Sequence, residues 1–116
     1  MRIQSFSFGS IRIDGVTYDH DVVIADGTVA KRSKKASKQL REVYGHTPLS
    51  AAESIPWKCK RLVIGTGAHG SLPVTPEVQR EAARRGVELF VMPTVEAIDE
   101  LAQGSKDTNA ILHVTC

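Results

Sequence analysis

Three glycines in six residues mark the stretch of this chain best suited to hold a ligand: Arg61-Leu62-Val63-Ile64-Gly65-Thr66-Gly67-Ala68-His69-Gly70. An apolar run that breaks into such a cluster is how a buried parallel strand ends at a binding loop. Glycine lets successive backbone N–H groups converge on one point, which is anion chemistry. The spacing satisfies G-x-G-x-x-G, but Ser71-Leu72-Pro73-Val74 stand between the third glycine and the next helix start at Thr75. The following strand ends in Met92-Pro93 with no acid, so a nicotinamide dinucleotide site has little support. The same residues fit G-x-x-x-x-G, yet Ser71-Leu72 replaces the lysine and hydroxyl of a phosphate loop, which argues against ATP hydrolysis by that route. What remains is a small-anion pocket built from Gly65, Thr66 and Gly67 with Thr94, over which Lys31 and Arg32 could fold. The plainer alternative, weighed equally, is that the glycines only allow a tight exit from the sheet.

Histidine and cysteine offer less. His113 and Cys116, three residues apart on a strand, point to opposite faces and make no dyad with each other. His20, His46 and His69 show no i, i+4 pairing and no C-x-x-C accompanies them, so neither a metal nor a cofactor is expected. Cys59 and Cys116 are two thiols and no disulfide framework. Lys31, Arg32, Lys34, Lys35, Lys38 and Arg41 crowd one acid-free tract. Without those six, 9 basic side chains face 13 acidic ones, so the net charge of +2 is a local property. The tract lacks interleaved aromatics for stacking on bases, and a solvated loop is its default.

The elements that must position these groups fall in two halves. Gly9-Ser10, Asp14-Gly15 and Asp26-Gly27 are pairs suited to tight hairpin turns. Alternation of Phe6 with Phe8, Ile11 with Ile13, Val16 with Tyr18 and Val22 with Ile24 gives an antiparallel meander over residues 1–31, with a corner at Tyr18-Asp19-His20-Asp21. Residues 32–60 hold the basic tract and short helices: one over residues 39–44 capped by Gly45, another starting at Thr47-Pro48. Residues 61–116 read as β-α-β-α-β. A strand at Leu62 to Ile64 precedes a helix at Pro76 to Arg85 closed by Gly86, then come a strand at Val87 to Met92, a helix capped by Thr94 and ended by Gly104, and a last strand at Asn109 to Thr115. The fold class is α/β with a mixed sheet, in one domain of 116 residues. Trp57 is expected in the core.

With Asp26-Gly27, Leu62 to Gly67, Pro93-Thr94 with Ala97, and Ala110 to Cys116 in this order, the chain resembles a small domain family of unknown function first defined on a hypothetical methanogen protein. That family also includes the adipogenesis-associated protein and a mitochondrial complex I assembly factor. The resemblance covers nearly the whole chain. It implies a mixed sheet with an antiparallel hairpin portion and packed helices, and it places Gly65, Thr66, Gly67 and Thr94 at recurring positions near a proposed pocket. It supplies no reaction, and a shared fold does not fix function. The chain departs from many members in the lysine-rich segment Lys31 to Lys38 and in lacking a tyrosine-asparagine pair after the last helix's alanine.

No apolar run is long enough to span a membrane and no signal peptide opens the sequence, so the cytoplasm is the expected location. The first expectation is a non-catalytic binding or assembly module, acting on a small anionic ligand or a protein partner. One alternative is a small enzyme for a phosphorylated or carboxylated metabolite, using His69 or His113 as base. Another is nucleic-acid binding through Lys31 to Arg41. Oligomeric state is not legible.

Overall fold

A computed structural model of the protein, describing residues 1–116, shows two sheets and three helices in a mixed α/β arrangement. Strands β1 (Ile3–Ser7), β2 (Ser10–Ile13) and β3 (Val16–Tyr18) form a small antiparallel sheet. Strands β4 (Val22–Ala25) and β5 (Thr28–Lys31) leave that meander and join a five-stranded sheet of order β5-β4-β8-β6-β7. The expected single meander is thus split at Asp19 to Asp21, where the chain corner carries β4 away. Both Asp-Gly turns hold positive φ at each residue, 48° and 81° at Asp14-Gly15 and 51° and 74° at Asp26-Gly27, the twist that tight hairpins need.

Strand β6 (Arg61–Gly65) lies parallel to both β7 (Glu88–Met92) and β8 (Thr108–Leu112), while β4 runs antiparallel to β8. The step from β6 to β7 moves one way across the sheet and the step from β7 to β8 moves back. Right-handed crossovers in opposite directions put their helices on opposite faces. Helix α2 (Pro76–Arg85) accordingly packs with Leu62, Ile64 and Ile111, and α3 (Thr94–Gln103) with Val63, Ala110 and Leu112. Each strand therefore divides its side chains between two apolar layers, one closed further by Ile11 and Ile13 of the small sheet, the other by Leu49 and Ile55. Trp57 is half-buried beside the second layer, with the Arg85 guanidinium over its ring at 5.5 Å.

Helix α2 has the expected bounds, from Pro76 to its αL cap at Gly86. The basic tract is ordered: a 3-10 helix (Lys35–Leu40) runs into α1 (Arg41–Tyr44), which Gly45 ends. No helix starts at Thr47-Pro48. Leu49 instead makes a parallel bridge with Val74, its N–H donating to Pro73 O while Thr75 N–H donates to Leu49 O, and its side chain is fully buried. Burying a leucine in the core outweighs a local capping signal. The last strand is shorter than expected, closing at Leu112, after which His113 N–H still donates to Gly65 O. No helix is long and apolar enough to cross a membrane.

Candidate functional site

The Gly65-Thr66-Gly67 loop is closed by the protein's own groups. Thr66 N–H donates to Met92 O and Gly67 N–H to Thr94 Oγ1 at 2.8 Å. Ala68 N–H reaches Thr115 O, and the N–H groups of His69 and Ser71 both reach Cys116 O. Thr94 is the first residue of α3 and caps nothing; its hydroxyl donates to His113 O at 2.7 Å. The glycines serve close approach. A Cβ on Gly67, at φ 103°, would stand 2.5 Å from the Cys116 carbonyl carbon and 2.8 Å from the His113 ring, and one on Gly65 would stand 2.8 Å from Thr94 Oγ1. Thr66, Gly67 and Thr94 are buried, so they clamp residues 113–116 against the sheet.

Arg32 also takes a role other than folding over an anion. It is 4% exposed, and its guanidinium is committed to internal acceptors. Nε and Nη2 donate to the two carboxylate oxygens of Glu53, each at 2.8 Å; Nη1 donates to Asp21 Oδ2 at 2.8 Å, and Nη2 also to Pro48 O. This bidentate fork on a buried carboxylate is arginine's specific geometry. Burial pulls the guanidinium pKa down, but Glu53 and Asp21 outweigh it and hold it above its ordinary value. Ser37 donates to Glu53 Oε2, and since that uses its single proton, Ser50 must donate to Ser37 Oγ at 2.6 Å. The network ties the 3-10 helix to β4, β5 and the segment around Glu53. Lys31, on the exposed edge strand β5, stands apart from the cleft that the anchored tract helps to build.

That cleft, of about 430 Å³, lies beyond the carboxyl ends of β6 and β8. Lys34, Lys38 and Arg41 line one side, at helical spacing along the 3-10 helix and α1, with His46 and Thr47 beside them. Leu72, His113, Thr115 and Cys116 line the other. No acidic side chain lines it. A larger cleft of about 1020 Å³ sits at the opposite, amino ends of the strands, where Asp26 and Asp107 offset two of the three charges of Lys58, Lys60 and Arg85. Ligands of open α/β sheets gather at carboxyl ends, and the smaller cleft stands there with three basic side chains and no acidic one.

His113 stands at the cleft wall, 7% exposed, in a fixed orientation. Its Nδ1 is 2.8 Å from Asp21 Oδ2, which also accepts from Arg32, while Asp21 Oδ1 accepts from Val114 N–H at 2.9 Å. Burial drives the Asp21 carboxyl upward, but hydrogen bonds and charge from His113, with Val114 and Arg32, bring it down to about 2. An ionised Asp21 only accepts, so His113 Nδ1 carries the proton that lies between them. Thr115 Oγ1 is 3.1 Å from Nε2, and donates to it whenever that nitrogen carries no proton. His69 is exposed beside Phe8, and His20 bonds Asp21 O; neither lines the cleft. Asp21, Thr115 and His46 were not singled out by spacing. One signal was available for Thr115: two residues from His113 on an extended chain, it shares that residue's face.

A family model described as a protein of unknown function (DUF498/DUF598) matches residues 3–113. Among solved structures, the chain is similar to the conserved hypothetical protein PH1505 from Pyrococcus horikoshii OT3, at 31% identity and a TM-score of 0.82 with 100% of both chains covered. It is also similar to the protein titled MT938, at 27% identity and a TM-score of 0.68, covering 99% of this chain and 98% of that one. The fold recurs in a Mth938-like domain from Bordetella pertussis, at 21% identity and a TM-score of 0.63 over 97% of this chain and 85% of that one. No curated protein matches.

Proposed function

We propose, for a chain that belongs to the DUF498/DUF598 family of proteins of unknown function, that it binds a small phosphorylated or carboxylated molecule in the cleft between its basic helical tract and residues 113–116. The observation that supports this is the charge of the cleft: of nine lining residues, Lys34, Lys38 and Arg41 are cationic, two more are histidines, and none is acidic. Cations held on one helical face attract an anion more strongly than solvated lysines do, because the Arg32 and Glu53 network restrains the tract that carries them. The anion site therefore lies beside the glycine loop instead of on it. The glycine loop contributes by holding His113, Thr115 and Cys116 in place. Nucleic acid is the weaker reading, since no Phe, Tyr or Trp side chain lines the cleft for stacking.

The test is isothermal titration with inorganic phosphate and with succinate, at constant ionic strength, on wild type and on the Lys34→Gln/Lys38→Gln/Arg41→Gln variant. Binding by wild type with at least tenfold weakening in the variant is expected. Equal affinity in the two proteins, or no binding of either anion, refutes the proposal.

A further inference from the structure

Asp21, His113 and Thr115 form a continuous hydrogen-bonded line that ends at the cleft. Asp21 Oδ2 takes Nδ1–H at 2.8 Å, and Nε2 stands 3.1 Å from the Thr115 hydroxyl oxygen. The second ring nitrogen is aimed at a hydroxyl that is itself half-exposed and lines a cationic cleft. Two further features bear on what the line can do. Asp21 is held by Arg32 and by Val114 N–H, which fixes the oxygen that His113 Nδ1 meets. Gly67 lets the imidazole lie against the sheet's end, where any larger residue would displace it.

We infer that Thr115 is a nucleophile and His113 its general base, oriented by Asp21, in the hydrolysis of a small ester whose carboxylate is held by Lys34, Lys38 and Arg41. The arrangement has the roles of an acid-base-nucleophile triad with threonine as the alcohol. Thr115 Oγ1 attacks the ester carbonyl carbon as its proton passes to His113 Nε2, and the imidazolium is stabilised by ionised Asp21. The tetrahedral adduct breaks its bond to the leaving oxygen, which takes that proton from Nε2. Water then gives a proton to Nε2 and attacks the acyl-threonine; the acid is released and Thr115 recovers its proton. Only the ester and one water are consumed, and nothing is oxidised or reduced. Asp21 is a positioning residue, because it touches the base and not the substrate.

This inference rests on the anion cleft proposed above, and the experiment separates the two. Wild type, Thr115→Val and Thr115→Ser are each titrated with succinate, then mixed with 4-nitrophenyl succinate and with the uncharged 4-nitrophenyl acetate. Nitrophenol release is followed, and acid-quenched protein is mapped by peptide mass spectrometry. The expected result is a succinyl group on Thr115, and turnover faster with the charged ester. Thr115→Val should lose on the order of 100-fold of that turnover while binding succinate as wild type does, and Thr115→Ser should restore it. Succinate binding by wild type without acyl-Thr115, with equal turnover by Thr115→Val, overturns the nucleophile and leaves the anion cleft standing. An acyl group on Cys116 or a lysine instead of Thr115 also overturns it. Absence of both succinate binding and turnover removes both proposals.

Discussion

Replacing Arg32 with methionine tests the network on which both the fold and the cleft depend. The substitution keeps an unbranched stem out to the position of Nε and removes four hydrogen bonds: two to Glu53, one to Asp21 and one to Pro48 O. Two carboxylates are left with side-chain exposures of 7% at Asp21 and 3% at Glu53. Asp21 retains His113 and Val114, but Glu53 retains little beyond Ser37, so most of the penalty falls on Glu53. Stranding one member of a buried ion pair costs about 3–5 kcal/mol. At about 4 °C per kcal/mol for a domain of this size, the melting temperature should fall by roughly 12–20 °C. The sign of the pH dependence is fixed too. A buried carboxylate without its cation has its folded pKa raised, so the variant's deficit shrinks as pH falls from 7 to 5 and is largest at neutral pH. Adding Glu53→Leu removes the stranded charge and should recover part of the loss. Urea unfolding at pH 7 and pH 5 reads all three effects. A deficit below about 1 kcal/mol, or one that is the same at both pH values, would refute a charge-compensating role for Arg32.

Three further outcomes are expected. Gly67→Ala should cost more than Gly86→Ala, for which about 1–2 kcal/mol of left-handed strain is the whole penalty; both hold positive φ, but only at Gly67 would the new Cβ meet backbone. Equal melting temperatures for the two would contradict the clamp on residues 113–116. Asp21, at about 2 when folded against an ordinary 3.8, contributes on the order of 2 kcal/mol that is complete above pH 4 and lost as pH falls towards 2. Asp21→Asn should therefore flatten the unfolding free energy across that window, whereas an unchanged acid limb would assign it to other carboxylates. Leu62→Ala, at a fully buried site beneath α2, should cost about 3–5 kcal/mol, and a loss under about 1 kcal/mol in urea unfolding would mean that this layer is loosely packed.

The parts of the fold legible in the sequence are those governed by local chemistry. Pro76 to Gly86 carries its start, its period and its stop within eleven residues, and the structure keeps those bounds. Asp14-Gly15 and Asp26-Gly27 demand a conformation few other pairs adopt. Thr47-Pro48 carries the same capping signal as Thr75-Pro76 and begins no helix, because Leu49 is drawn into the core by a bridge to Val74, which no local pattern announces. The site was less legible for the same reason. The basic tract and the glycine loop stand out in composition, but which cation goes inside depends on tertiary partners. Arg32 meets Glu53 across 21 residues and becomes structural, while Lys34 and Lys38, two and six positions later, face the cleft.

The separation of Asp21 from His113, 92 residues in sequence, follows from one topological fact. Strand β8 lies at the sheet's centre with β4 antiparallel on one side and β6 parallel on the other. Its antiparallel neighbour begins where it ends, since Val22 pairs with Leu112, so the residue before β4 must stand beside the residue after β8. Its parallel neighbour ends where it ends, since Gly65 pairs with Leu112, so the glycine loop must also open there. An all-parallel sheet would bring only loops following strands to this edge. One antiparallel insertion adds the entry to a strand, and with it the carboxylate that fixes His113. The mixed sheet is therefore what makes a carboxylate, an imidazole and a glycine clamp coincide at one rim, and the hairpin of β4 and β5 then delivers Arg32 and the basic tract to the same place.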